Sequence, residues 1–292
     1  MDSCWNHLLK ACYILSRRLS NPQNFYLTIM KTIGILLIIS VFNCPVYSQD
    51  YINFQRKLFS SGSDTLSYRL LYPANYDSTK KYPLVVFLHG AGQRGKDNQK
   101  QLANGASLFL KDVNRKQFPA FVIFPQCSLN DFWARTRILN SISDSTPFKF
   151  EYLTNVPMNK GLNMVSRLLD SLATSTNIDN KQIYVGGLSM GGMGTFEMLW
   201  RKPGFFAAAF PICGGGNTST ASVYGKGFPI WIFHGDKDPV VDVNDSRKMV
   251  AALNAVKAKV KYTEYPGVKH DSWKKAFSEP QLLPWLFNQK KE

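Results

Sequence analysis

A serine set among glycines is the most informative chemical feature of the chain. Residues 183–194 read IYVGGLSMGGMG, and the G-x-S-x-G pattern centred on Ser189 lies between an apolar run and a helical pattern. A serine on a tight strand-to-helix turn has a strained backbone that bulky neighbours would obstruct, and glycines remove the obstruction. The following helix directs free N–H groups towards developing negative charge. The pattern therefore predicts that Ser189 is a nucleophile.

The glycine-rich segment has two alternative interpretations. One is a turn that joins a strand to a helix without any chemistry. The other is a phosphate-binding loop, but the required G-x-x-x-x-G-K-[ST] pattern does not occur in the sequence. The nucleophile interpretation is favoured because later segments supply a matching base and acid.

A histidine and an aspartate complete a candidate proton-transfer set. His270 follows the last predicted strand and takes third place in the chain order Ser, Asp, His that accompanies this serine motif. Asp238 follows the apolar run 230–233 and precedes a proline that restricts it to extended backbone. We expect Asp238 to orient His270 and His270 to accept the serine proton. Asp236 and Asp242 are the alternatives for the acid.

Backbone N–H groups that bind an oxyanion are predicted at two places. Residues 84–92 read LVVFLHGAG, an apolar run that leads into a His-Gly-x-Gly loop. The N–H groups of Met190 and Ala91 are expected to hold the oxyanion, with Gly92 as the substitute for the second donor. His89 is expected to shape the loop by hydrogen bonding to the backbone.

Two tryptophans lie beside the predicted site in sequence. Trp133 belongs to the polar and aromatic stretch 130–157, and Trp273 comes shortly after His270. Aromatic faces stack on sugar and aryl rings, so both residues are candidates for substrate binding. Packing in the core is the alternative, and for Trp273 it is at least as favoured as substrate binding, because a helix begins there.

The elements that must position these residues follow from the apolar pattern. Several runs are apolar at every position, as in strands buried on both faces, and helices are predicted over 161–173, 191–200 and 244–258. Their alternation predicts a single α/β domain with a mostly parallel central sheet and helices on both faces, the site lying at the carboxyl ends of the strands. Residues 130–157 are predicted to form an insertion over that end. The runs are Leu66–Tyr72, Leu84–Leu88, Phe121–Phe124, Ile183–Val185, Ala207–Ile212, Ile230–Phe233 and Val260–Tyr265.

The composition excludes some classes of protein, and the N-terminal residues indicate where the folded domain begins. The 292 residues are 45% hydrophobic and 19% charged, which excludes wholesale disorder and collagen-like repeats. Residues 1–48 are interpreted as an upstream extension plus a signal peptide, with Met30 as the favoured start and residues 49–292 as the catalytic domain. The alternative is a long basic n-region or an uncleaved anchor. Cleavage predicts a secreted or periplasmic protein without stable membrane insertion, and it leaves Cys127 and Cys213 either paired or as free thiols.

The charge and the ligand-type residues limit the partners. The net charge is +15, but the lysines and arginines are scattered and no nucleic-acid-binding motif occurs, so a nucleic-acid partner is not expected. No zinc-type spacing of histidines and cysteines is present, and neither a metal nor another cofactor is expected. The sequence does not indicate an oligomeric state.

Taken together, these segments resemble the α/β-hydrolase superfamily from about Leu66 to the C terminus. More narrowly, the chain looks like the secreted bacterial carboxylesterases that include feruloyl and acetylxylan esterases and peptidases of the prolyl-oligopeptidase type. Dienelactone hydrolases are less similar, because their nucleophile is a cysteine. The matching segments are 87–92 with 94–95 and 97–98, 124–127, 187–192, 211–215, 234–238 and 270–273.

The resemblance implies a catalytic triad of Ser189, Asp238 and His270. It also implies a secreted serine hydrolase that cleaves carboxylic esters through an acyl-enzyme, acting on acetyl or feruloyl groups of polysaccharides. The partner that this resemblance implies is a small ester or an acylated glycan. A peptidase with the same chemistry is one alternative. A non-catalytic carbohydrate-binding protein on the same scaffold is another, of a different class.

Overall fold

The computed structural model describes residues 51–139 and 147–292. The predicted extension and signal peptide lie outside these residues, so their interpretation and the boundary at residue 48 stay predictions. The described residues belong to one compact unit, Asp50–Glu292. Among them, no helix has both the length and the apolar character needed to cross a bilayer.

The strands occupy the apolar runs of the sequence. Every predicted run is a strand, whereas three further strands were not predicted: an edge strand whose outer face is exposed and charged, and a pair of three-residue strands. In the described residues the strands are β1 (Phe54–Ser61), β2 (Asp64–Leu71), β3 (Tyr82–Leu88), β4 (Phe121–Pro125), β5 (Thr136–Ile138), β6 (Phe150–Tyr152), β7 (Ile178–Leu188), β8 (Ala208–Ile212), β9 (Pro229–Gly235) and β10 (Lys259–Tyr265).

Eight of these described strands form one sheet in the order β1-β2-β4-β3-β7-β8-β9-β10. Strand β2 pairs antiparallel with β1 and with β4, and the remaining pairings are parallel. This arrangement confirms the predicted mostly parallel sheet. Since parallel strands end at the same edge, the loops after β3, β7, β8, β9 and β10 converge there.

The helices and shorter turns connect the strands. The predicted helices 161–173 and 191–200 are confirmed, but 244–258 is wrong at its end, because the helix stops at Ala255 and Lys257 has a positive φ of 60°. In the described residues the helices are α1 (Ala106–Leu110), α2 (Asp112–Gln117), α3 (Lys160–Ala173), α4 (Met190–Arg201), α5 (Ala221–Tyr224), α6 (Val243–Ala255), α7 (Trp273–Ala276) and α8 (Leu282–Phe287), with 3-10 turns at Ala91–Gln93, Lys100–Leu102 and Thr218–Thr220.

Apolar clusters cover both faces of the sheet. Alternate residues of β3 divide between them: Val86 packs with the cluster that includes Leu168 of α3, and Phe87 packs with the cluster that includes Leu286 of α8. Successive side chains of a strand point to opposite faces, so a strand covered by helices on both sides is apolar throughout. Burying each such large side chain stabilises the fold by about 1.5–3 kcal/mol, and this holds the strand ends in place.

The described part of the stretch 130–157 lies over the carboxyl end of the sheet, as predicted. The backbone N–H of Phe148 donates to the carbonyl oxygen of Val240 at 2.9 Å, and the Tyr152 hydroxyl donates to Oδ2 of Asp245 at 3.1 Å. Asn217 Nδ2 donates to the carbonyl oxygen of Tyr152 at 2.8 Å. These contacts attach β6 and the residue Phe148 before it to the loops that follow β8 and β9 and to α6.

Candidate active site

The serine turn has the backbone that its glycines suggested. Ser189 directly follows β7 with φ 54° and ψ −118°, a conformation that non-glycine residues rarely adopt. A Cβ on Gly191 would collide with the carbonyl oxygen of Leu88, and one on Gly187 would collide with the carbonyl oxygen of Gly191. The turn therefore packs backbone against backbone, and the half-buried serine is held at the sheet edge.

The three residues predicted as a triad form one chain of hydrogen bonds. The Ser189 hydroxyl lies 3.0 Å from Nε2 of His270, and Nδ1 of His270 lies 2.7 Å from Oδ2 of Asp238. Asp238 has a fully buried carboxylate, whereas the His270 side chain is 22% exposed. The buried carboxylate of Asp238 therefore holds one nitrogen of the His270 imidazole, and the ring is partly exposed to solvent where its other nitrogen contacts Ser189. This geometry suits proton transfer, and the catalytic roles remain predictions.

The alternative acids have other partners. Oδ1 of Asp236 accepts from the backbone N–H of Gly267 at 2.6 Å, and Oδ1 of Asp242 caps α6 by accepting from the N–H of Asn244 at 2.9 Å. Asp236 therefore stabilises a turn and Asp242 caps a helix, whereas the carboxylate of Asp238 contacts His270.

Asp238 is stabilised in its ionised form. Its Oδ1 accepts from the backbone N–H groups of Val240 at 2.8 Å and Val241 at 3.0 Å. Burial alone would raise the pKa of Asp238, but hydrogen bonds from His234, His270 and the backbone outweigh it and hold that pKa below its usual range. A carboxylate that is charged at neutral pH can orient His270 and stabilise its protonated form.

The predicted oxyanion donors begin two short helical segments. Met190 is the first residue of α4 and Ala91 is the first of the 3-10 turn after β3. Within the described residues, neither backbone N–H donates a hydrogen bond to another protein group. Gly90 packs against Leu188, which places Ala91 and the adjacent Gly92 next to the serine turn. Both N–H groups are therefore free to bind an anion, and their role, like that of Gly92, remains a prediction.

His89 shapes this loop, as expected. Its Nε2 accepts from the backbone N–H of Cys127 at 3.0 Å, so Nδ1 carries the proton and donates to the carbonyl oxygen of Gly90 at 2.7 Å. Burial lowers the pKa of His89 to about 4. The ring is neutral at neutral pH and cannot serve as a base for Ser189, because both of its nitrogens are occupied by backbone groups.

The expectation that Trp133 stacks on a substrate is corrected by its burial. Its side chain is fully buried, Nε1 donates to the carbonyl oxygen of His89 at 3.0 Å, and the two rings meet edge to face at 5.2 Å. A Cβ on Gly194 would collide with Cβ of Trp133 and crowd its indole, and Gly161 also lies beside the ring. Neither ring face is open to a ligand, so Trp133 supports the His89 loop from within the core.

Trp273 occupies a different environment. It is half-buried at the start of α7, and its ring meets that of His270 edge to face at 5.4 Å. It also lines a cavity of about 250 Å³ together with Gly105, Lys111 and Phe277. This position is compatible with a contact to substrate, which remains a prediction.

Both cysteines of the described residues are free and buried. The pairing alternative is therefore wrong. Burial raises the pKa of the Cys127 thiol to about 12 and raises that of Cys213 as well, so both keep their protons at neutral pH.

Cys213, Asp238 and His270 bring a sulfur, a carboxylate oxygen and an imidazole nitrogen within 4.8 Å of one another. This set resembles a metal-ligand group in composition. However, Asp238 and His270 are hydrogen-bonded to each other, and the protonated thiol of Cys213 is a poor metal ligand. The hydrogen bond between Asp238 and His270 explains the proximity of these two groups without a metal.

Sequence reasoning missed a second histidine at the carboxylate. His234, the penultimate residue of β9, places Nε2 at 3.2 Å from Oδ2 of Asp238. The spacing of four residues between His234 and Asp238 is the only signal of this contact in the sequence.

Comparison with known proteins agrees with this fold. Residues 145–281 match a family model described as phospholipase/carboxylesterase. The crystal structure of a thermostable esterase is 36% identical with a TM-score of 0.72, covering 82% of this chain and 64% of that one. A ferulic acid esterase from Anaeromyces mucronatus, 15% identical with a TM-score of 0.58, covers 81% and 90% and shows the fold alone.

A bifunctional acetylxylan esterase/xylanase from Neocallimastix patriciarum is 36% identical over 83 residues, which are 28% of this chain and 12% of the relative. The chain thus spans less than two thirds of the thermostable esterase and a small part of the bifunctional enzyme. The chain therefore has the fold of the α/β-hydrolase superfamily and is similar in sequence to carboxylesterases. The predicted fold and the predicted resemblance to carboxylesterases are confirmed.

Proposed function

We propose that the protein is a serine carboxylic ester hydrolase that works through an acyl-enzyme. The observation that carries the proposal is the continuous chain of hydrogen bonds from Ser189 through His270 to the buried carboxylate of Asp238. Aligned in this way, an imidazole can remove the hydroxyl proton as the oxygen attacks a carbonyl carbon.

The reaction follows from the position of each group. Oγ of Ser189 attacks the ester carbonyl while Nε2 of His270 accepts its proton. The N–H groups of Met190 and Ala91 stabilise the negative oxygen that develops. His270 then donates its proton to the leaving alcohol, and a water molecule activated by the same nitrogen hydrolyses the acyl-enzyme.

The substrate class proposed is an acyl group, acetyl or feruloyl, attached to a polysaccharide outside the cytoplasm. The names of two similar proteins, an acetylxylan esterase/xylanase and a ferulic acid esterase, support it. The Trp273 ring supports it as well: it lies 5.4 Å from the ring of His270, and an aromatic side chain beside a reacting group suits a sugar or aryl ring. Export rests on the predicted signal peptide.

The chemistry is tested by Ser189→Ala with Ser128→Ala, an exposed serine on another loop, as the matched control. We expect Ser189→Ala to lose at least about 10³-fold in kcat on p-nitrophenyl acetate and to lose labelling by a fluorophosphonate probe. Ser128→Ala should retain both, and both proteins should have the wild-type circular dichroism spectrum. Activity retained by folded Ser189→Ala would refute the assignment.

A substrate panel and the mature N terminus test the finer proposal. Acetylated xylan and methyl ferulate should be hydrolysed, and peptide p-nitroanilides should not. Preferential amide cleavage would favour the peptidase alternative, and glycan binding without any probe labelling would favour a non-catalytic role. N-terminal sequencing of exported protein should give a start near residue 49.

A further inference from the structure

His234 is completely buried between the sheet and α6. Its Nε2 lies 3.2 Å from Oδ2 of Asp238 and 3.1 Å from the carbonyl oxygen of Val241. Its Nδ1 lies 2.7 Å from the hydroxyl of Ser246, and that hydroxyl lies 2.7 Å from the carbonyl oxygen of Gly214. Every polar atom of the ring therefore has a partner within the protein.

The identity of these partners assigns a proton. An ionised carboxylate and a carbonyl can only accept hydrogen bonds, so Nε2 of His234 must carry the hydrogen that lies between them. Nδ1 faces a hydroxyl, which can either donate or accept. The assignment at Nε2 therefore holds whichever way the Ser246 hydroxyl points.

The proton on Nε2 matters because of the oxygen it faces. Oδ2 of Asp238 is the atom that accepts from Nδ1 of His270 at 2.7 Å, so one oxygen serves two histidines. Oδ1 is fixed by the backbone N–H groups of Val240 and Val241. Without His234, the second oxygen would be held by the reacting histidine alone and would follow its movement.

We propose that His234 is a positioning residue whose Nε2–H fixes Oδ2 of Asp238 and so keeps His270 aligned with Ser189. The proposal rests on the function proposed above and adds a residue that does not touch substrate. It makes the acid of the triad a carboxylate with four donors, two from the backbone and two from histidines. Removing the His234 donor weakens the alignment of His270 with Ser189, while Asp238 keeps its negative charge.

Other titratable groups face this cluster from neighbouring elements. Glu264 on β10 is in register with His234, Asp245 precedes Ser246 on α6, Cys213 follows β8, and Asp271 follows His270. Each remains present in a His234 variant, so a change in pH dependence would report the lost donor itself.

Two substitutions of His234 distinguish the effect of its Nε2–H donor from the effect of its Nδ1 side. In His234→Gln the side-chain amide nitrogen can reach the position of Nε2 and donate to Asp238. In His234→Asn the amide reaches only the position of Nδ1 and contacts Ser246. We expect His234→Asn to lower kcat on p-nitrophenyl acetate about 10- to 100-fold, as for loss of a hydrogen bond to a charged group. Its KM should change less than about two-fold, and His234→Gln should recover most of the loss.

Two readouts distinguish alignment from general damage. The acidic limb of the kcat/KM profile should move to higher pH in His234→Asn, because Oδ2 without its second donor attracts the protonated imidazole more strongly. The far-downfield proton resonance of His270 Nδ1–H should shift or broaden in His234→Asn and be restored in His234→Gln. Equal kinetics and spectra in wild type and a folded His234→Asn, or a His234→Gln no better than His234→Asn, would overturn the proposal.

The resonance also separates this proposal from the proposed function. A wild-type protein that hydrolyses no ester but shows the predicted pattern of resonances would refute the esterase and support the role of His234. An active enzyme whose resonance and kcat are insensitive to His234→Asn would refute the role of His234 and leave the esterase intact.

Discussion

The backbone N–H of Cys127 donates to Nε2 of His89 at 3.0 Å, so a side chain at the end of β3 accepts a hydrogen bond from the end of β4. The opposite nitrogen donates within its own loop, to Gly90. The loop that carries the Ala91 N–H is therefore fixed by a neutral imidazole. Protonating that ring would set two N–H groups against each other.

Stability should consequently depend on pH through His89. Its pKa is near 6.5 in an unfolded chain and about 4 in the folded protein. Between these values the unfolded chain binds a proton that the native ring does not, so stability falls as pH decreases through this window and stops falling below it. The total contribution is about 3 kcal/mol.

Urea unfolding at several pH values between 7 and 4 measures this effect. His89→Gln, whose side-chain oxygen can still accept from Cys127, should show a flatter dependence. Indistinguishable slopes for the variant and the wild type would contradict the assignment.

Asp238→Asn should lower kcat by about 10³- to 10⁴-fold with little change in KM, because an amide cannot stabilise the protonated form of His270 as a carboxylate does. Asp242→Asn is the matched control, since its carboxylate caps α6. The control should keep its activity and lose at most about 1 kcal/mol of stability. Steady-state kinetics on p-nitrophenyl acetate provide the comparison, and similar losses in the two variants would argue against Asp238.

Trp273→Ala should selectively weaken the binding of glycan and feruloyl esters. We expect KM on acetylated xylan or methyl ferulate to rise about 10-fold, the scale of a lost stacking contact, and KM on p-nitrophenyl acetate to change little. Trp273→Phe retains an aromatic ring beside His270 and should show a smaller effect. A uniform loss of kcat on all substrates would instead indicate that the indole only supports His270.

Gly191→Ala should disturb the serine turn. The new methyl group would collide with the carbonyl oxygen of Leu88, a backbone atom that moves only with β3. We therefore expect the free energy of unfolding to fall by about 1–3 kcal/mol and most of the activity to be lost. Gly92→Ala has free space around its Cβ and keeps its N–H, so it should remain active. Thermal unfolding and kinetics on both variants test this contrast, which fails if Gly191→Ala behaves like Gly92→Ala.

The parts of the fold that the sequence predicted are those with uninterrupted apolar runs. Strands β3 and β9 are covered on both faces, so their composition alone identifies them. Strand β1 lies at the sheet edge with one side exposed, and its charged residues conceal it. The end of α6 was misplaced because Ala258, which continues the apolar pattern, lies beyond the residue with positive φ.

The residues of the candidate site also fall into two groups, those that the sequence predicted and those that it did not. The chain order of Ser189, Asp238 and His270 was readable, because each follows an apolar run. Proximity in sequence did not show which way a side chain points, so Trp133 and Trp273 looked equivalent although one is core and the other lines a cavity. The contact of His234 with Asp238 depends on a loop that folds back on its own strand, which residue types alone do not reveal.

The separation of the reacting groups along the chain has a consequence for folding. Ser189 and His270 are 81 residues apart, and Gly191 fits only where β3, about a hundred residues upstream, already lies beside β7. Contacts between distant segments form late, after the entropy of closing long loops has been overcome. Recovery of esterase activity during refolding should therefore coincide with the slowest step of sheet assembly and follow the return of helical circular dichroism.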